Sequence, residues 1–142
     1  GIDGSTSTAA GAAYVNNTMT TLVTGDMSFF YDSNALWNQH LTGNLRIVLI
    51  NNGGGGIFRI IDGPSSTDQL EEFFETKHEY SAEHLAKAFN VPYYQCDRAE
   101  SLKDALSNFY APHDDRPVIL EIVTPGEENA LVLRNYFKHL KG

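Results

Sequence analysis

Two short apolar runs of this chain each end in a motif of glycine and polar residues. The first run, residues 21–24, leads into Gly25-Asp26, and the second, residues 46–50, leads into Asn51-Asn52 and four glycines. Apolar runs of this length between turn signals are typical of strands that are covered on both faces. Because open parallel sheets bind ligands at the carboxyl ends of their strands, the two motifs constrain the fold and the place of a site together.

Strand-like and helix-like segments alternate along the rest of the sequence. The expected strands are residues 21–24, 46–50, 93–96 and 117–123, and the expected helices are residues 6–15, 28–39, 68–74, 81–90, 101–110 and a terminal one from 126. This alternation predicts an α/β fold, with an open, mainly parallel sheet and helices on both faces. Ser5 or Thr6 is the expected cap of the first helix.

Composition excludes several classes of function. The chain has 142 residues, enough for a single domain with a core, and its net charge of -8 without clustered Lys or Arg argues against nucleic-acid binding. No apolar run approaches the roughly 18 residues of a membrane span. Cys96 is the only cysteine, which fits a reducing compartment, so a cytoplasmic location is expected. The start at Gly1 suggests a domain of a longer polypeptide; a short processed or tagged protein is the alternative.

The two motifs bring oxygen ligands and open backbone to the same predicted edge of the sheet. Gly25 allows a sharp turn into a helix, so Asp26 is expected near a helix N-terminus, which favours a diphosphate. A carboxylate and a diphosphate repel each other unless a cation lies between them, and Mg2+ prefers oxygen ligands together with phosphates. Asn52 offers a neutral oxygen, and the glycines allow a backbone carbonyl to approach. These residues predict a cation-and-diphosphate site; ordinary turns after two strands are the alternative interpretation.

Longer strings of the sequence resemble the thiamine diphosphate-dependent enzymes, and among them the menaquinone-pathway family of 2-succinyl-5-enolpyruvyl-6-hydroxy-3-cyclohexene-1-carboxylate synthases. The strings that carry the resemblance are Gly1-Ile2-Asp3-Gly4, Ser7-Thr8-Ala9-Ala10-Gly11, Gly25-Asp26-Met27-Ser28-Phe29 and the run from Asn51-Asn52 to Ile57-Phe58. They cover roughly residues 1 to 61. Many thiamine enzymes have glycine where this chain has Met27, which points away from the acetohydroxyacid synthase and pyruvate decarboxylase branches.

The resemblance implies that residues 1–142 form the C-terminal, diphosphate-binding domain of a three-domain enzyme that is a homodimer or a dimer of dimers. Its substrates would be 2-oxoglutarate, which is decarboxylated, and isochorismate, which receives the succinyl semialdehyde unit. The activating glutamate of the family lies in another domain, so no catalytic residue is assigned here and the chain alone is expected to be inactive. The alternatives are another thiamine diphosphate-dependent 2-oxo acid decarboxylase or synthase, or a non-catalytic flavodoxin-like module for a phosphate ligand.

The resemblance also implies roles for individual residues. Mg2+ or Mn2+ would be held by the side chains of Asp26 and Asn52 and by the carbonyl of Gly54. Ser28 and nearby backbone amides would hold the diphosphate of thiamine diphosphate, and Ile2 would be the apolar support between its two rings. The remaining implied contacts are Met27, Ile57 and Phe58 with the cofactor, and Phe58 and Ile61 in the substrate pocket.

Other residues carry simpler interpretations. Ile57, Phe58, Ile60 and Ile61 are expected on a face that another subunit covers. The three carboxylates Glu71, Glu72 and Glu75 are expected on a solvated helix face, and Cys96 in a buried strand. The five histidines lack metal-ligand spacing and are interpreted as ordinary structural or surface residues.

Overall fold

The computed structural model describes residues 2–61, 63–113 and 115–141, and the chain forms two compact units. The first unit comprises Gly1–Asn51 and Ser81–Val123, and the second comprises Asn52–Tyr80 and Thr124–Gly142. Each unit is described by itself. The prediction that the whole chain is one domain stays a prediction.

The first unit is built on a four-stranded, all-parallel sheet. Its strands are β1 (Thr20–Gly25), β2 (Leu45–Asn51), β3 (Tyr93–Cys96) and β4 (Val118–Val123), in the order β1-β2-β4-β3. The predicted fold class is therefore confirmed, and the predicted strand of residues 93–96 has the observed bounds.

Four α-helices cover the two faces of this sheet: α1 (Ser5–Val15), α2 (Asp26–Tyr31), α3 (Glu83–Ala88) and α4 (Leu102–Tyr110). The odd-numbered apolar residues of β2 pack with side chains of α1, α2 and α3, whereas Val48 packs with Phe109 of α4. Successive side chains of a strand point to opposite faces, so a strand covered on both sides is mostly apolar, as residues 47–50 of β2 are. The prediction of helices on both faces is confirmed.

β1 differs from the buried strand that its composition suggested. It is an edge strand whose burial alternates, and the side chain of Val23 is 66% exposed. Leu22 packs against the cluster formed with α1, α2 and α3. Only one face of β1 is covered within the described residues of this unit, because α4 packs over β3 and β4 instead.

The helix predicted over residues 28–39 is divided in two. α2 ends at Tyr31 and is followed by the 3-10 helix Ser33–Trp37, rather than continuing to residue 39. The intervening Asp32 is buried and accepts hydrogen bonds from the backbone N–H and the hydroxyl of Ser7, at 2.7 and 2.6 Å. This contact with α1 fixes Asp32 in a non-helical conformation that interrupts the helix.

The predicted cap of α1 is wrong as well. The N-cap position is Gly4, with φ +82°, and no side chain caps the helix. Ser5 is turned toward Ser28, with 2.9 Å between their hydroxyl oxygens, and Thr6 is buried. A residue with positive φ favours glycine, so the backbone rather than a hydroxyl begins this helix.

The second unit contains short and irregular helices and one long helix. These are the 3-10 helices Gly56–Arg59 and Pro64–Ser66, the π-helix Leu70–Glu75, and α5 (Gly126–Lys141). The 3-10 helix Gly56–Arg59 contacts both the π-helix and α5. The terminal helix was predicted, whereas the expected short helix of residues 68–74 is a π-helix shifted toward the C-terminus. None of the described helices combines the length and the apolar character that a membrane crossing requires.

Candidate functional site at the strand ends and the glycine loop

The carboxyl ends of β1 and β2 lie side by side in the first unit. Gly25 of β1 pairs in register with Ile50 of β2, and Asp26 begins α2 directly after the strand. The side chain of Asp26 is only 2% exposed, and its Oδ1 accepts a hydrogen bond of 2.6 Å from the N–H of Met27. The predicted ligand Asp26 is therefore held at the strand end by its own helix.

Ser28 and Ile2 meet near the start of α1. The hydroxyl of Ser28 donates to the carbonyl oxygen of Ile2 at 2.5 Å and also lies 2.9 Å from the hydroxyl of Ser5. The side chain of Ile2 is 52% exposed, so it is not a routine core residue. The structure brings these two predicted cofactor contacts together, and their roles stay predictions.

The adjacent asparagines have different surroundings. Asn51, the last residue of β2, is buried and donates from Nδ2 to Oε1 of Glu121 at 2.6 Å. Asn52 follows the strand and is half-buried. Asn51 therefore has a structural role, and the ligand role of Asn52 stays a prediction.

Glu121 is a functional candidate that the sequence reasoning missed. Its carboxylate is fully buried on β4 and accepts hydrogen bonds from Ser81 Oγ at 2.8 Å, from the N–H of Ala82 at 3.2 Å and from the hydroxyl of Tyr93. Burial and the Glu121 hydrogen bond raise the pKa of Tyr93 above its usual range. A glutamate inside an apolar strand run was the available signal, because buried carboxylates almost always have polar partners.

The glycine loop of the second unit has a backbone that requires glycine at Gly54. Gly53 and Gly54 have φ values of +76° and +150°, and a Cβ on Gly54 would lie 2.7 Å from the carbonyl oxygen of Glu75. The N–H of Gly55 donates to that same oxygen at 2.7 Å, and the N–H of His78 donates to the carbonyl of Gly53 at 3.0 Å. The loop is therefore bound closely to residues 75–78.

Asn52 and the predicted carbonyl ligand both belong to this loop. A Cβ on Gly56 would lie 2.5 Å from Nδ2 of Asn52, so the carboxamide rests directly on the bare backbone of Gly56. The carbonyl of Gly54 accepts a hydrogen bond of 3.0 Å from the N–H of Gly56. A cavity of about 400 Å³ within the unit is lined by Asn52, Gly53, Arg59, Glu75, Lys77, His78, Glu79 and Gly126.

The carboxylates of the π-helix do not share one environment. Glu75, expected on a solvated face, is 2% exposed and forms a bidentate ion pair with Arg59, at 2.6 Å to Nε and 2.7 Å to Nη2. Its hydrogen bond raises the pKa of Arg59. Glu71 is exposed as expected and accepts from Arg59 and Lys77 at 2.8 Å each. The partner of Glu75 lies 16 residues earlier, where helical spacing gives no signal.

The predicted apolar contacts also lie in this unit. Phe58 is half-buried and its ring lies 5.7 Å from that of Phe74, whereas Ile57 and Ile61 are exposed. Exposed apolar side chains on a loop fit a surface that meets a ligand or another chain. Their cover by a second subunit stays a prediction.

The three predicted ligands are oxygen donors. Asp26 carries a carboxylate in the first unit, and in the second unit Asn52 carries a carboxamide and Gly54 a backbone carbonyl. Oxygen donors of this kind are those that Mg2+ prefers, and it commonly completes its shell with substrate phosphates. Across residues 2–61, 63–113 and 115–141, no cluster of three or more His, Cys, Asp or Glu side chains suggests a different metal centre.

The chain is similar to proteins of known family over nearly its whole length. Residues 3–122 match the family described as thiamine pyrophosphate enzyme, C-terminal TPP binding domain. The chain is 49% identical over 140 residues to a Flavobacterium johnsoniae protein, 47% over 142 to one from Porphyromonas gingivalis and 39% over 142 to one from Bacteroides fragilis. Each is named 2-succinyl-5-enolpyruvyl-6-hydroxy-3-cyclohexene-1-carboxylate synthase. These matches cover 99 to 100% of this chain but only 24 to 26% of the relatives, so the chain spans about a quarter of their length.

Proposed function

The chain belongs to the thiamine pyrophosphate enzyme family through the C-terminal TPP binding domain, and from this membership we propose that it binds the diphosphate of thiamine diphosphate through Mg2+ or Mn2+. The observation that carries the proposal is the glycine loop. A Cβ at Gly54 would lie 2.7 Å from the carbonyl oxygen of Glu75, and a residue without a Cβ allows a cation to approach its carbonyl closely.

The proposed ligands of the cation are the side chains of Asp26 and Asn52 and the carbonyl of Gly54. Ser28 and nearby backbone amides hold the diphosphate. Because a hydroxyl has a single proton, the Ser28 hydroxyl turns from the carbonyl of Ile2 when it donates to the diphosphate. Thiamine diphosphate, when bound, supplies the electron sink for cleavage of a 2-oxo acid beside its carbonyl group. The other proposed contacts are Met27, Ile57 and Phe58 with the cofactor, and Phe58 and Ile61 with the substrate.

We extend the proposal to a longer polypeptide of which this chain is the C-terminal domain. Its reaction would be that of the similar synthases: decarboxylation of 2-oxoglutarate and addition of the succinyl semialdehyde unit to isochorismate, in menaquinone biosynthesis. Identity of 39 to 49% over nearly the whole chain supports this choice of reaction. The enzyme would be a homodimer or a dimer of dimers. The activating glutamate lies outside this chain, so the chain alone would not turn over 2-oxoglutarate.

The test compares Asp26→Asn with wild type in the full polypeptide. Calorimetric titration with thiamine diphosphate is carried out with Mg2+ and with a chelator. The substitution keeps an acceptor for the Met27 N–H but removes the charge of the ligand. The affinity for thiamine diphosphate in the presence of Mg2+ should therefore fall by at least about 100-fold, which exceeds the loss typical of residues that only orient metal ligands. Asp104→Asn, an exposed carboxylate on α4, is the matched control and should leave affinity unchanged.

Equal affinity of Asp26→Asn and wild type would overturn the metal-ligand assignment. Binding of a flavin or nucleotide without divalent cation, and no binding of thiamine diphosphate, would favour the flavodoxin-like alternative. Turnover of 2-oxoglutarate by the purified chain alone would show that the activating group is present in it.

A further inference from the structure

Residues 75–78 are tied to the glycine loop on both sides of Gly54. The carbonyl of Glu75 accepts from the N–H of Gly55 at 2.7 Å, and the N–H of His78 donates to the carbonyl of Gly53 at 3.0 Å. The residues before and after Gly54 are thus both anchored to one short segment. The orientation of the peptide that carries the Gly54 carbonyl depends on where that segment lies.

The side chain of Glu75 determines the position of the segment. Its carboxylate is 2% exposed, and both of its oxygens are bonded to Arg59, at 2.6 and 2.7 Å. A bidentate arginine–carboxylate pair is short, directional and stronger than a neutral hydrogen bond. Arg59 in turn belongs to the 3-10 helix that follows the glycine loop, and Arg134 of α5 donates to its carbonyl. The ion pair therefore joins the 3-10 helix that follows the glycine loop to the end of the π-helix, whose backbone is itself hydrogen-bonded to the loop.

The same glutamate also contacts the loop directly. A Cβ on Gly54 would lie 3.2 Å from Cγ of Glu75, so the glutamate side chain packs on the bare Cα. The backbone at Gly126 lies close to both the carbonyl of Asn52 and Oε1 of Glu75, since a Cβ there would be 2.8 Å from the first and 3.9 Å from the second. The carboxylate is consequently close to the backbone around both predicted ligands of this unit.

We propose that Glu75, fixed by Arg59, is a positioning residue that sets the Gly54 carbonyl and the Asn52 backbone for the cation. The inference rests on the proposed function, because it assumes that these two residues bind the metal. Glu75 itself is not assigned as a ligand, because its buried carboxylate is already paired with the charge of the Arg59 guanidinium. Its last position in a π-helix is consistent with such a role, because π-helical turns occur frequently at functional sites.

The test measures Mn2+ affinity directly, with the full polypeptide saturated with thiamine diphosphate and free Mn2+ followed by electron paramagnetic resonance. Glu75→Gln keeps the shape of the side chain but removes the charge that binds Arg59. Mn2+ affinity should fall by about 10- to 100-fold, the range typical of residues that orient metal ligands. Glu72→Gln, an exposed glutamate on the same π-helix, is the matched control and should bind Mn2+ like wild type.

A second pair of variants separates positioning from general support of the fold. Arg59→Met should weaken Mn2+ binding as Glu75→Gln does, and Arg59→Lys should recover part of the loss because it restores the charge with poorer geometry. In all three, saturating Mn2+ should restore the affinity for thiamine diphosphate. A collapsed site would not be restored in this way.

The outcomes distinguish the two proposals. Failure of wild type to bind thiamine diphosphate in a metal-dependent manner would overturn the proposed function. Normal wild-type binding with unchanged Mn2+ affinity in Glu75→Gln would overturn the positioning role alone, and unchanged affinity in Arg59→Met decides the same question if Glu75→Gln does not fold. Loss of cofactor binding that saturating Mn2+ fails to restore would also overturn it.

Discussion

Different interactions stabilise the interior of each of the two compact units. In the first, a parallel sheet buries large apolar side chains completely, including Phe29, Ile47 and Phe109. In the second, the only strongly buried charged contact described is the Arg59–Glu75 pair, and many large apolar side chains are exposed. Examples are Ile57, Phe73, Leu131, Val132 and Tyr136.

This difference shows where ligands and partners are expected to influence the molecule. Apolar burial stabilises a sheet whether or not a ligand is present, since it depends on area removed from water. A unit with little apolar burial has a low local stability and gains more from whatever binds or covers it. The first unit should therefore be stable without ligands, whereas the stability of the second should depend more on the cation, the cofactor and a covering subunit.

The largest expected effect is on the stability of the first unit. Phe109→Ala removes a fully buried ring from the α4 face and should lower the free energy of unfolding of the first unit by about 3–5 kcal/mol. Hydrogen exchange of the sheet amides in the full polypeptide measures this loss, which should be the same with and without Mg2+ and cofactor. Phe73→Ala, at a side chain 66% exposed, is the control. A loss of stability that disappears on cofactor binding would contradict the prediction that the first unit is stable without ligands.

The next effect belongs to the glycine loop. Gly54→Ala places a Cβ 2.7 Å from the carbonyl of Glu75 at φ +150°, and strain of this kind costs about 1–3 kcal/mol. We expect faster exchange in residues 52–80 and a loss of the thermal stabilisation that Mg2+ and thiamine diphosphate give wild type. Gly11→Ala is the matched control, because nothing lies within 4 Å of its Cβ position on α1 and alanine should stabilise the helix there by about 0.5–1 kcal/mol. Equal behaviour of the two variants would refute the close approach.

A smaller effect appears only at high pH. The pKa of Tyr93 is raised in the folded state by burial and by its hydrogen bond to Glu121. Above pH ~10 the unfolded chain loses this proton while the folded chain keeps it, so stability falls as pH rises through that range and is fully present below it. Tyr93→Phe should remove this part of the alkaline loss. The free energy of unfolding is measured from about pH 9 to 11, a range that brackets the unperturbed tyrosine pKa near 10. The same pH dependence in Tyr93→Phe and wild type would contradict the role given to Tyr93.

The smallest effect is expected at the surface pair of Lys77 and Glu71. Both side chains are about half exposed, at 47 and 56%, although their atoms lie 2.8 Å apart. Exposed ion pairs contribute little because water and salt screen them. Lys77→Met should leave the midpoint of thermal unfolding and the Mn2+ affinity unchanged within error. A loss comparable to that of Arg59→Met would show that the outer pair supports the loop as the buried pair does.

The sheet was predictable because its information is local. An apolar run that is buried on both faces identifies a strand without knowledge of its neighbours, and the strand predicted over residues 46–50 on this basis lies within β2. The errors arise where a distant side chain decides. Asp32 ends α2 because it binds Ser7, 25 residues earlier, and Glu75 is buried because Arg59 reaches it.

The candidate site divides in the same way. The ligand positions were predicted from short motifs and from family resemblance, both of which can be read along the chain. The residues that hold those motifs in place, Glu121 behind Asn51 and Glu75 behind Gly54, are visible only after folding. Their local sequence gives a charge and a position but not a partner.

The opposite surroundings of Asn51 and Asn52 have a consequence for insertions and deletions. Because side chains alternate along β2, adding or removing one residue within that strand would carry Asn52 to the position of Asn51 beside Glu121, and the reverse. The exposed stretch of residues 37–40 has no such alternation of faces, and surface loops accept extra length at little entropic cost. In related chains, the number of residues between Gly25 and Asn52 can therefore change before β2 begins. Inside β2, residues must be inserted or deleted two at a time.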